Sequence, residues 1–493
     1  MSNKEQWQSL LSELDRRQSI AEALGGQQRV ERQHQRGRLT ARERLYALYD
    51  TGSFNEIGAL AGGEPPPDQA ALAGDGLVGG VGRIEGHAVI AMAEDFTVKG
   101  GSIGHVNAAK RARLVRLASE RKLPLVMMLD GAGERATNTN ERYPNTPNDL
   151  QLLSDLSGQV PIIAIVMGSS AGHGALCAMF ADIVIMVEGS ALFTAGPPLV
   201  QTALGTEVSA ESLGGVELHT AVSGVAHNSV IDDASACDLT RRLLVYLSDS
   251  ANESASSFDY GDAGGDPVSL LELIPTALNA PYDMRLVVSI LADADSIIEL
   301  QPLYGRSLLV CLARFGGRAV MVVANQPNHL SGAITVDAAK KATHFIDVAD
   351  QRGLPLLMLL DNPGVMPGAQ SEQAGILRAA ASMFAAQRRY QGQKLVVTVR
   401  KAFGFGSSVM GMNPWDRQAI SLALPTASLG GMPVIGGDAV ARVSAEERQR
   451  MAVAQAAAWV PADAMAFDKV VSPLSLRQEI TEALAWSVYG TEE

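Results

Sequence analysis

The stretch His87–Gly133 (HAVIAMAEDFTVKGGSIGHVNAAKRARLVRLASERKLPLVMMLDGAG) decides the fold, because the chain repeats it without a gap at Arg318–Gly364 (RAVMVVANQPNHLSGAITVDAAKKATHFIDVADQRGLPLLMLLDNPG). Asp130 of the first copy corresponds to Asp361 of the second, an offset of 231 residues (361 − 130). A repeat of this length indicates a duplicated domain rather than the short stacking unit of a solenoid. Two copies of one fold suggest either a site built between copies or two related half-sites that divide one reaction.

Each copy has the pattern of an α/β unit. The first copy contains the apolar run Ala88–Ala93, a helical segment at Asn107–Lys122 and the wholly apolar run Leu125–Leu129. Apolar runs of this length predict buried strands, and strands that alternate with helices are typical of a sheet covered on both faces. Pro161–Met167 predicts the next strand, and Gly172–Met179 predicts a helix after a glycine-rich turn. The sequence therefore predicts an α/β fold with two similar domains.

One polar segment separates the two copies. Asn252–Pro267 (NESASSFDYGDAGGDP) is rich in Gly, Ser and Asp, which is the composition of a linker. We therefore predict an N-terminal domain at 1–255, a linker at 256–270 and a C-terminal domain at 271–493.

Composition and charge favour a large globular protein of the cytoplasm. Apolar residues make up 47% of the 493 residues and charged residues 19%, so a large core can form. The formal net charge of −13 disfavours nonspecific binding to nucleic acid or to a membrane surface. The first ten residues, MSNKEQWQSL, lack the apolar region of a signal peptide, and no apolar run is long enough to span a bilayer.

The cysteines and histidines do not predict a metal site. Cys177, Cys237 and Cys311 are scattered and offer neither a disulfide framework nor a four-thiolate zinc site. The eight histidines show no metal-ligand spacing. The expectation is a reduced protein without a bound metal.

A glycine-rich turn follows a predicted strand and opens a helix in each copy. The first glycine turn is Val166–Ala175 (VMGSSAGHGA) and the second is Arg400–Ser408 (RKAFGFGSS). Consecutive backbone N–H groups at a helix N-terminus can hold a phosphate or an oxyanion. Tight packing of strand against helix is the structural alternative, but two such turns at corresponding places favour a function. Neither turn matches the P-loop or the GxGxxG pattern.

Other residues have both a functional and a structural interpretation. His173 is a candidate base, but a lone histidine in a turn more often packs or forms a hydrogen bond, and no Asp or Ser partner is evident. Asp130 and Asp361 end buried strands, where active-site clefts often open, but capping of the following turn is the preferred interpretation. The basic segment Arg29–Arg44 could be a solvated helix face or could meet the phosphates of a soluble ligand.

Motifs along nearly the whole chain resemble the carboxyltransferase (β) subunits of biotin-dependent acyl-CoA carboxylases, such as those for propionyl-, acetyl- and methylcrotonyl-CoA. The matching stretches are Arg38–Arg44 (RLTARER), Asp95–Ser102 (DFTVKGGS), Gly214–His219 (GGVELH), Ser223–His227 (SGVAH), Ala324–Pro327 (ANQP), Asp361–Gly368 (DNPGVMPG) and Arg400–Gly404 (RKAFG). The resemblance implies two tandem crotonase-like domains of the ClpP/crotonase superfamily, each a ββα superhelix. It also implies a dimer or hexamer, with the site where the N-terminal domain of one subunit meets the C-terminal domain of another.

The resemblance implies carboxyl transfer from N-carboxybiotin on a separate carrier to the α-carbon of an acyl-CoA. By analogy, the N–H groups of Gly172 and His173 hold the thioester oxygen, and those of Phe405 and Gly406 hold the biotin ureido oxygen. Biotin can itself take the α-proton, so no protein base is required. Other residues expected to bind acyl-CoA or biotin are Gly100, Gly101, Gly133, Ala171, Gly364, Gly404 and Ser408.

The same resemblance predicts the partners. The chain lacks the biotinylation sequence and the ATP-binding biotin carboxylase half of the family's enzymes, so both a biotin carboxylase and a biotin carboxyl carrier are expected as separate chains. The N-terminal domain is then the acyl-CoA side and the C-terminal domain the biotin side.

The chain departs from the family pattern at both turns. Asp130–Arg135 (DGAGER) stands where the family has Asp-Ser-Gly-Gly-Ala-Arg, and Gly404–Gly406 (GFG) stands where it has Gly-Gly-Ala. Backbone donors survive such changes, but Phe405 adds bulk beside the expected biotin pocket. The alternatives to a carboxyltransferase are a biotin-linked acyl-CoA decarboxylase, a biotin-independent crotonase-like hydrolase or isomerase, and a noncatalytic partner that only assembles a holoenzyme.

Overall fold

The computed structural model describes residues 2–62, 72–135, 149–248, 262–413, 416–432 and 444–486. The chain divides into two compact units, Met1–Ser248 and Asp249–Glu493, called unit 1 and unit 2 below. Of the predicted linker, residues 256–261 lie outside the described ones. In the described part of the chain, no helix combines the length and the hydrophobicity that a membrane span requires.

Unit 1 is built on a mixed sheet, with a small second sheet beside it. Its strands are β1 (Asn55–Glu56), β2 (Leu77–Ile84), β3 (His87–Glu94), β4 (Leu125–Leu129), β5 (Ile162–Val166), β6 (Ser169–Ala171), β7 (Ile183–Val187), β8 (Ala191–Phe193) and β9 (Asn228–Val230). The large sheet has the order β1-β2-β3-β4-β5-β7-β9, antiparallel from β1 to β3 and parallel beyond, and β6 pairs with β8. Its helices are α1 (Asn3–Glu22), α2 (Gln27–Gln35), α3 (Ala41–Leu48), α4 (His105–Arg121), α5 (Asp149–Leu156), α6 (His173–Ala178), α7 (Pro197–Leu204), α8 (Ala210–Gly214) and α9 (Asp233–Ser248).

Unit 2 repeats this plan. Its strands are β10 (Ile298–Leu300), β11 (Leu308–Phe315), β12 (Arg318–Asn325), β13 (Leu356–Asn362), β14 (Lys394–Phe403), β15 (Gln418–Ala423), β16 (Ser428–Gly430) and β17 (Lys469–Val470). The sheet order is β10-β11-β12-β13-β14-β15-β17, and β16 pairs with the end of β14. Its helices are α10 (Ser269–Leu273), α11 (Met284–Leu291), α12 (Val336–Arg352), α13 (Ala369–Gln373), α14 (Ile376–Arg389), α15 (Gly404–Val409), α16 (Ala445–Ala454), α17 (Trp459–Asp463) and α18 (Leu476–Ala485).

The duplication is visible element by element. Helices α4 and α12 are both 17 residues long, and both of their ends differ by 231 in number (336 − 105 and 352 − 121). Strands β4, β5 and β7 are buried along their whole length, as parallel strands between helices must be. Each fully buried Val, Leu or Ile side chain there stabilises unit 1 by about 1.5–3 kcal/mol relative to exposure. The predicted α/β class is confirmed.

A buried lysine fixes the long helix to the sheet in each unit. The Nζ atom of Lys341, on α12, donates to the carbonyl oxygens of Gln301, Tyr304 and Leu308 at 2.8, 3.1 and 2.9 Å. The corresponding Lys110, on α4, donates to the carbonyl of Leu77, the residue that corresponds to Leu308. The lysine thus supplies hydrogen-bond donors to buried backbone carbonyl groups at the start of β2 in unit 1, and at and before the start of β11 in unit 2.

Replacing Lys341 by methionine is expected to destabilise unit 2 by roughly 1–3 kcal/mol, because buried carbonyl groups lose their donor. Denaturant unfolding of the variant measures this loss. The neighbouring Lys340 is exposed and serves as the matched control, since Lys340→Met removes a charge without removing these bonds. Equal stability of the two variants would contradict the anchoring role.

Candidate functional site

The two glycine turns occupy equivalent places in the two units. Ala171 at the end of β6 pairs with Phe193, and Phe403 at the end of β14 pairs with Gly430. The residue that follows is a glycine in both turns. Gly172 has a φ of 57° and Gly404 a φ of 54°, and this left-handed conformation favours glycine. Helices α6 and α15 begin at this point, so each turn presents the first N–H groups of a helix.

In the first glycine turn, the N–H groups at the start of α6 are open. The Gly172 N–H donates to the carbonyl of Phe193 at 3.0 Å and is therefore engaged. The N–H groups of His173 and Gly174 have no acceptor among the residues that the structure describes. The adjacent open N–H groups nearest to Gly172 are thus those of His173 and Gly174, whereas the pair expected from the sequence is Gly172 and His173.

In the second glycine turn, the N–H groups of Phe405 and Gly406 likewise have no acceptor within the described ranges. Gly406 lies against the end of the neighbouring strand. A Cβ atom on Gly406 would lie 2.4 Å from Asn362 Oδ1 and 2.6 Å from Gly364 Cα, so only glycine fits without displacement. The Phe405 side chain is 49% exposed.

Hydrogen bonds join the loops of unit 1 that carry the expected binding residues. The Ala132 N–H donates to the Gly100 carbonyl at 3.0 Å, and the Ile103 N–H donates to the Gly133 carbonyl at 2.8 Å. Gly101 lies against the backbone of Asp130, and Gly133 lies against the carbonyl of Ala171. The structure therefore brings together Gly100, Gly101, Gly133, Ala171 and the first glycine turn around the end of β4.

In unit 2, Gly364 lies beside the carbonyl of Phe403, immediately before Gly404. Ser408 lies one helical turn after Gly404, on α15. Its side chain is half-buried, and its carbonyl accepts from Asn413 Nδ2 at 2.8 Å. These three expected residues therefore lie along the second glycine turn.

Asp130 and Asp361 are fully buried and neutralise arginines. The Arg44 guanidinium lies 3.0 Å from Asp130, and the Arg400 guanidinium lies 2.7 Å from Asp361. The interpretation preferred from the sequence, that each aspartate caps the turn that follows it, is therefore incomplete. Both carboxylates form ion pairs with arginines that are distant in the chain. Arg44 is also buried, so this end of the basic segment neither faces solvent nor meets a phosphate.

His173 has an acidic partner that the sequence did not reveal. Its Nε2 atom lies 2.6 Å from Oδ1 of Asp149, the first residue of α5. Arg111 Nη1 lies 3.7 Å from the other carboxylate oxygen. Burial raises the pKa of Asp149, but the hydrogen bond from His173 and the charge of Arg111 outweigh burial, and the pKa lies below its usual range. Asp149 is thus a carboxylate that accepts a hydrogen bond from the imidazole.

Cys177 completes a group of three possible metal ligands with Asp149 and His173, whose ligating atoms lie within 4.8 Å of one another. Burial and then the charge of Asp149 raise the pKa of the Cys177 thiol, which donates to Asp149 Oδ2 at 3.7 Å. A metal ion would require Cys177 to be deprotonated, which its raised pKa opposes. The ion would also lie close to the positive charge of the Arg111 guanidinium. The geometry and charges fit a hydrogen-bonded cluster better than a metal centre.

Comparisons with known proteins agree over nearly the whole chain. A family model described as a carboxyl transferase domain matches residues 32–483. Methylmalonyl-CoA decarboxylase subunit alpha of Veillonella parvula is 34% identical over 94% of this chain and 92% of its own length. The biotin-dependent acetyl-/propionyl-coenzyme A carboxylase beta5 subunit of Mycobacterium tuberculosis (strain CDC 1551 / Oshkosh) is 36% identical over 86% of this chain and 80% of its own.

The fold is shared with a solved structure. A crystal structure of transcarboxylase 12S, a hexamer with hydrolysed methylmalonyl-coenzyme A bound, is similar with a TM-score of 0.89 and 31% identity. The similarity covers 98% of this chain and 96% of that one. It confirms the expected tandem crotonase-like fold.

Proposed function

The chain belongs to the carboxyl transferase domain family, and we propose that it transfers a carboxyl group from N-carboxybiotin, carried on a separate protein, to the α-carbon of an acyl-CoA. The observation that carries this proposal is the pair of equivalent glycine turns, each with adjacent backbone N–H groups that have no acceptor in the described part of the chain. A reaction with two substrates that both gain negative charge on an oxygen needs two such donor pairs.

Each turn has its own part in the proposed reaction. The N–H groups of His173 and Gly174 hold the thioester oxygen of the acyl-CoA, and those of Phe405 and Gly406 hold the ureido oxygen. Carboxybiotin supplies the carboxyl group. Both donor pairs are fixed by the backbone, so they need no reorganisation when charge develops, and each donor is worth roughly 10²–10³ in rate.

The proposal includes partners. We infer that the chain acts as a homo-oligomer, a dimer or a hexamer, together with separate biotin carboxylase and biotin carboxyl carrier chains. The transcarboxylase 12S structure is itself a hexamer, which supports this inference. Unit 1 is the acyl-CoA side and unit 2 the biotin side, and each copy supplies both half-sites to the assembly.

A decarboxylase is the second candidate, because one relative is the methylmalonyl-CoA decarboxylase subunit alpha. Its 34% identity is close to the 36% of the carboxylase subunit, so similarity does not decide the direction of transfer. Both reactions use the same two donor pairs and the same carrier.

Purification of the tagged chain from its own cell, followed by a streptavidin blot, tests the proposal. A biotinylated protein should co-purify, and the complex should fix labelled bicarbonate into an acyl-CoA when ATP is present. Release of labelled CO2 from a carboxyacyl-CoA without fixation would favour the decarboxylase. Turnover of acyl-CoA at the full rate in the absence of any biotinylated protein would refute both the carboxyltransferase and the decarboxylase.

The family resemblance places the position that tunes the size of the acyl group at Ser408, so this residue of unit 2 is expected to set the acyl size. A small side chain at this position leaves room, so the wild-type enzyme should accept an acyl-CoA larger than acetyl. Ser408→Ile should shift the preference toward shorter acyl groups by about 1–3 kcal/mol, the value of a methylene in an apolar pocket. The measurement is kcat/KM for acetyl-, propionyl- and butyryl-CoA with the reconstituted partners, and Ser407→Ala on the same helix is the control. An unchanged ranking in Ser408→Ile would place the pocket elsewhere.

A further inference from the structure

The first glycine turn carries an acid–base group, and the second does not. His173 and Phe405 occupy equivalent positions, each following a glycine with positive φ. His173 is the first residue of α6, and the Cα–Cβ bonds of a helix tilt toward its N-terminus. The Cα–Cβ bond of His173 therefore tilts toward the end of the helix at which the open N–H groups of His173 and Gly174 lie, while its Nε2 atom lies beside Asp149.

The surroundings of His173 fix its tautomer. Asp149 is a buried carboxylate with no proton to give, so the hydrogen bond at 2.6 Å requires the proton to be on His173 Nε2. In the neutral ring this leaves the lone pair on Nδ1, which has no partner among the described residues. The side chain of His173 is 17% exposed, so the ring is reachable from outside.

The charged groups around the pair hold this arrangement in place. Arg111 of α4 lies 3.7 Å from Asp149 and also pairs with Glu94 of β3, and Cys177 of α6 donates to Asp149.

We propose that in this chain His173, in place of biotin, is the catalytic base that removes the α-proton of the bound acyl-CoA, with Asp149 as its positioning residue. The inference rests on the proposed function, because it requires the thioester oxygen at His173 and Gly174. The Nδ1 lone pair takes the proton, and the electron pair of the C–H bond moves into the enolate, whose oxygen accepts from the two N–H groups. No oxidant or reductant is needed.

It follows that the protein without its partners catalyses exchange of the α-hydrogen of an acyl-CoA with solvent. The imidazolium formed in the first step exchanges its proton with deuterated water and returns a deuteron to the α-carbon. One C–H bond is thereby replaced by one C–D bond. In the complete reaction the same enolate attacks the carboxyl group instead.

The experiment is incubation of the purified chain with propionyl-CoA in deuterated water, with deuterium followed by mass spectrometry and binding by calorimetry. The wild type should incorporate deuterium at the α-carbon. His173→Gly should reduce the exchange by about 10²–10⁴-fold, the usual effect of a general base, with propionyl-CoA affinity within about threefold. Added imidazole should restore part of the exchange, which a merely structural role of His173 would not allow.

One further variant and one further condition separate the roles. Asp149→Asn should lower the exchange with little effect on propionyl-CoA affinity. A chelator should leave the exchange of the wild type unchanged. Loss of exchange after chelation would overturn the inference in favour of a metal at this cluster.

The failure of this inference differs from the failure of the proposed function. Binding of propionyl-CoA without exchange above the buffer rate, or full exchange in His173→Gly, overturns the role of His173 and leaves carboxyl transfer intact. Absence of propionyl-CoA binding in the wild type overturns both.

Discussion

Gly406→Pro is expected to lower the rate of carboxyl transfer by roughly 10²–10³-fold, the effect of losing one oxyanion donor. Proline has no backbone N–H, so the second glycine turn loses the open donor of residue 406. The ring also has little room, because a Cβ atom at this position would lie 2.4 Å from Asn362 Oδ1 and 2.6 Å from Gly364 Cα. The measurement is the rate of carboxyl transfer with saturating carrier and acyl-CoA.

Gly431→Ala is the control for replacing a nearby glycine, because a Cβ at Gly431 meets no described atom within 4 Å. Its activity should remain close to the wild-type value. The α-hydrogen exchange proposed for unit 1 should survive in Gly406→Pro, since the first glycine turn is unchanged. Normal carboxyl transfer in Gly406→Pro would show that the second turn does not hold a reacting oxygen.

Asp361→Ala is expected to destabilise unit 2 by about 3–5 kcal/mol, as the loss of one partner from a buried ion pair does. Asp361 accepts from Arg400 at 2.7 Å and from the Tyr282 hydroxyl at 2.8 Å. Lys401 Nζ lies 3.1 Å from its other oxygen. Without the carboxylate, the guanidinium of Arg400 remains buried with an uncompensated charge.

Hydrogen exchange of β13 and β14 as a function of urea measures this loss for unit 2 alone. Asp347→Ala is the control, because Asp347 pairs with Arg389 at 3.3 Å on an exposed surface. An exposed pair of this kind contributes about 0–1 kcal/mol. A similar small loss in Asp361→Ala would show that the buried carboxylate is dispensable.

The elements of the fold follow from local patterns in the sequence. The apolar run Leu125–Leu129 coincides with β4, and the run predicted at Pro161–Met167 contains β5 (Ile162–Val166). The helix predicted at Asn107–Lys122 is α4 (His105–Arg121), with Lys122 in the left-handed conformation that ends it. Periodicity, capping and proline position act over a few residues, so they can be interpreted without knowledge of the tertiary structure.

The chemistry of the candidate site depends on partners far apart in the chain. Asp149 and His173 are 24 residues apart on different helices, and no spacing rule joins them. The Gly172 N–H is engaged because β6 pairs with β8, which places Phe193 beside it. Arg44 and Asp130 are 86 residues apart, so the sequence gives no sign that they form an ion pair. Local patterns around Asp130 indicate only that it can cap the turn that follows it.

The sequence by itself determined the duplication, the α/β class, the two glycine turns and, through its motifs, the family. Only the tertiary structure decided which N–H groups of the first turn are open, and that His173 has a carboxylate at 2.6 Å. The physical reason is that backbone conformation is encoded by neighbouring residues. The partner of a buried polar atom is instead set by the order of strands in the sheet and by the helices that cover it.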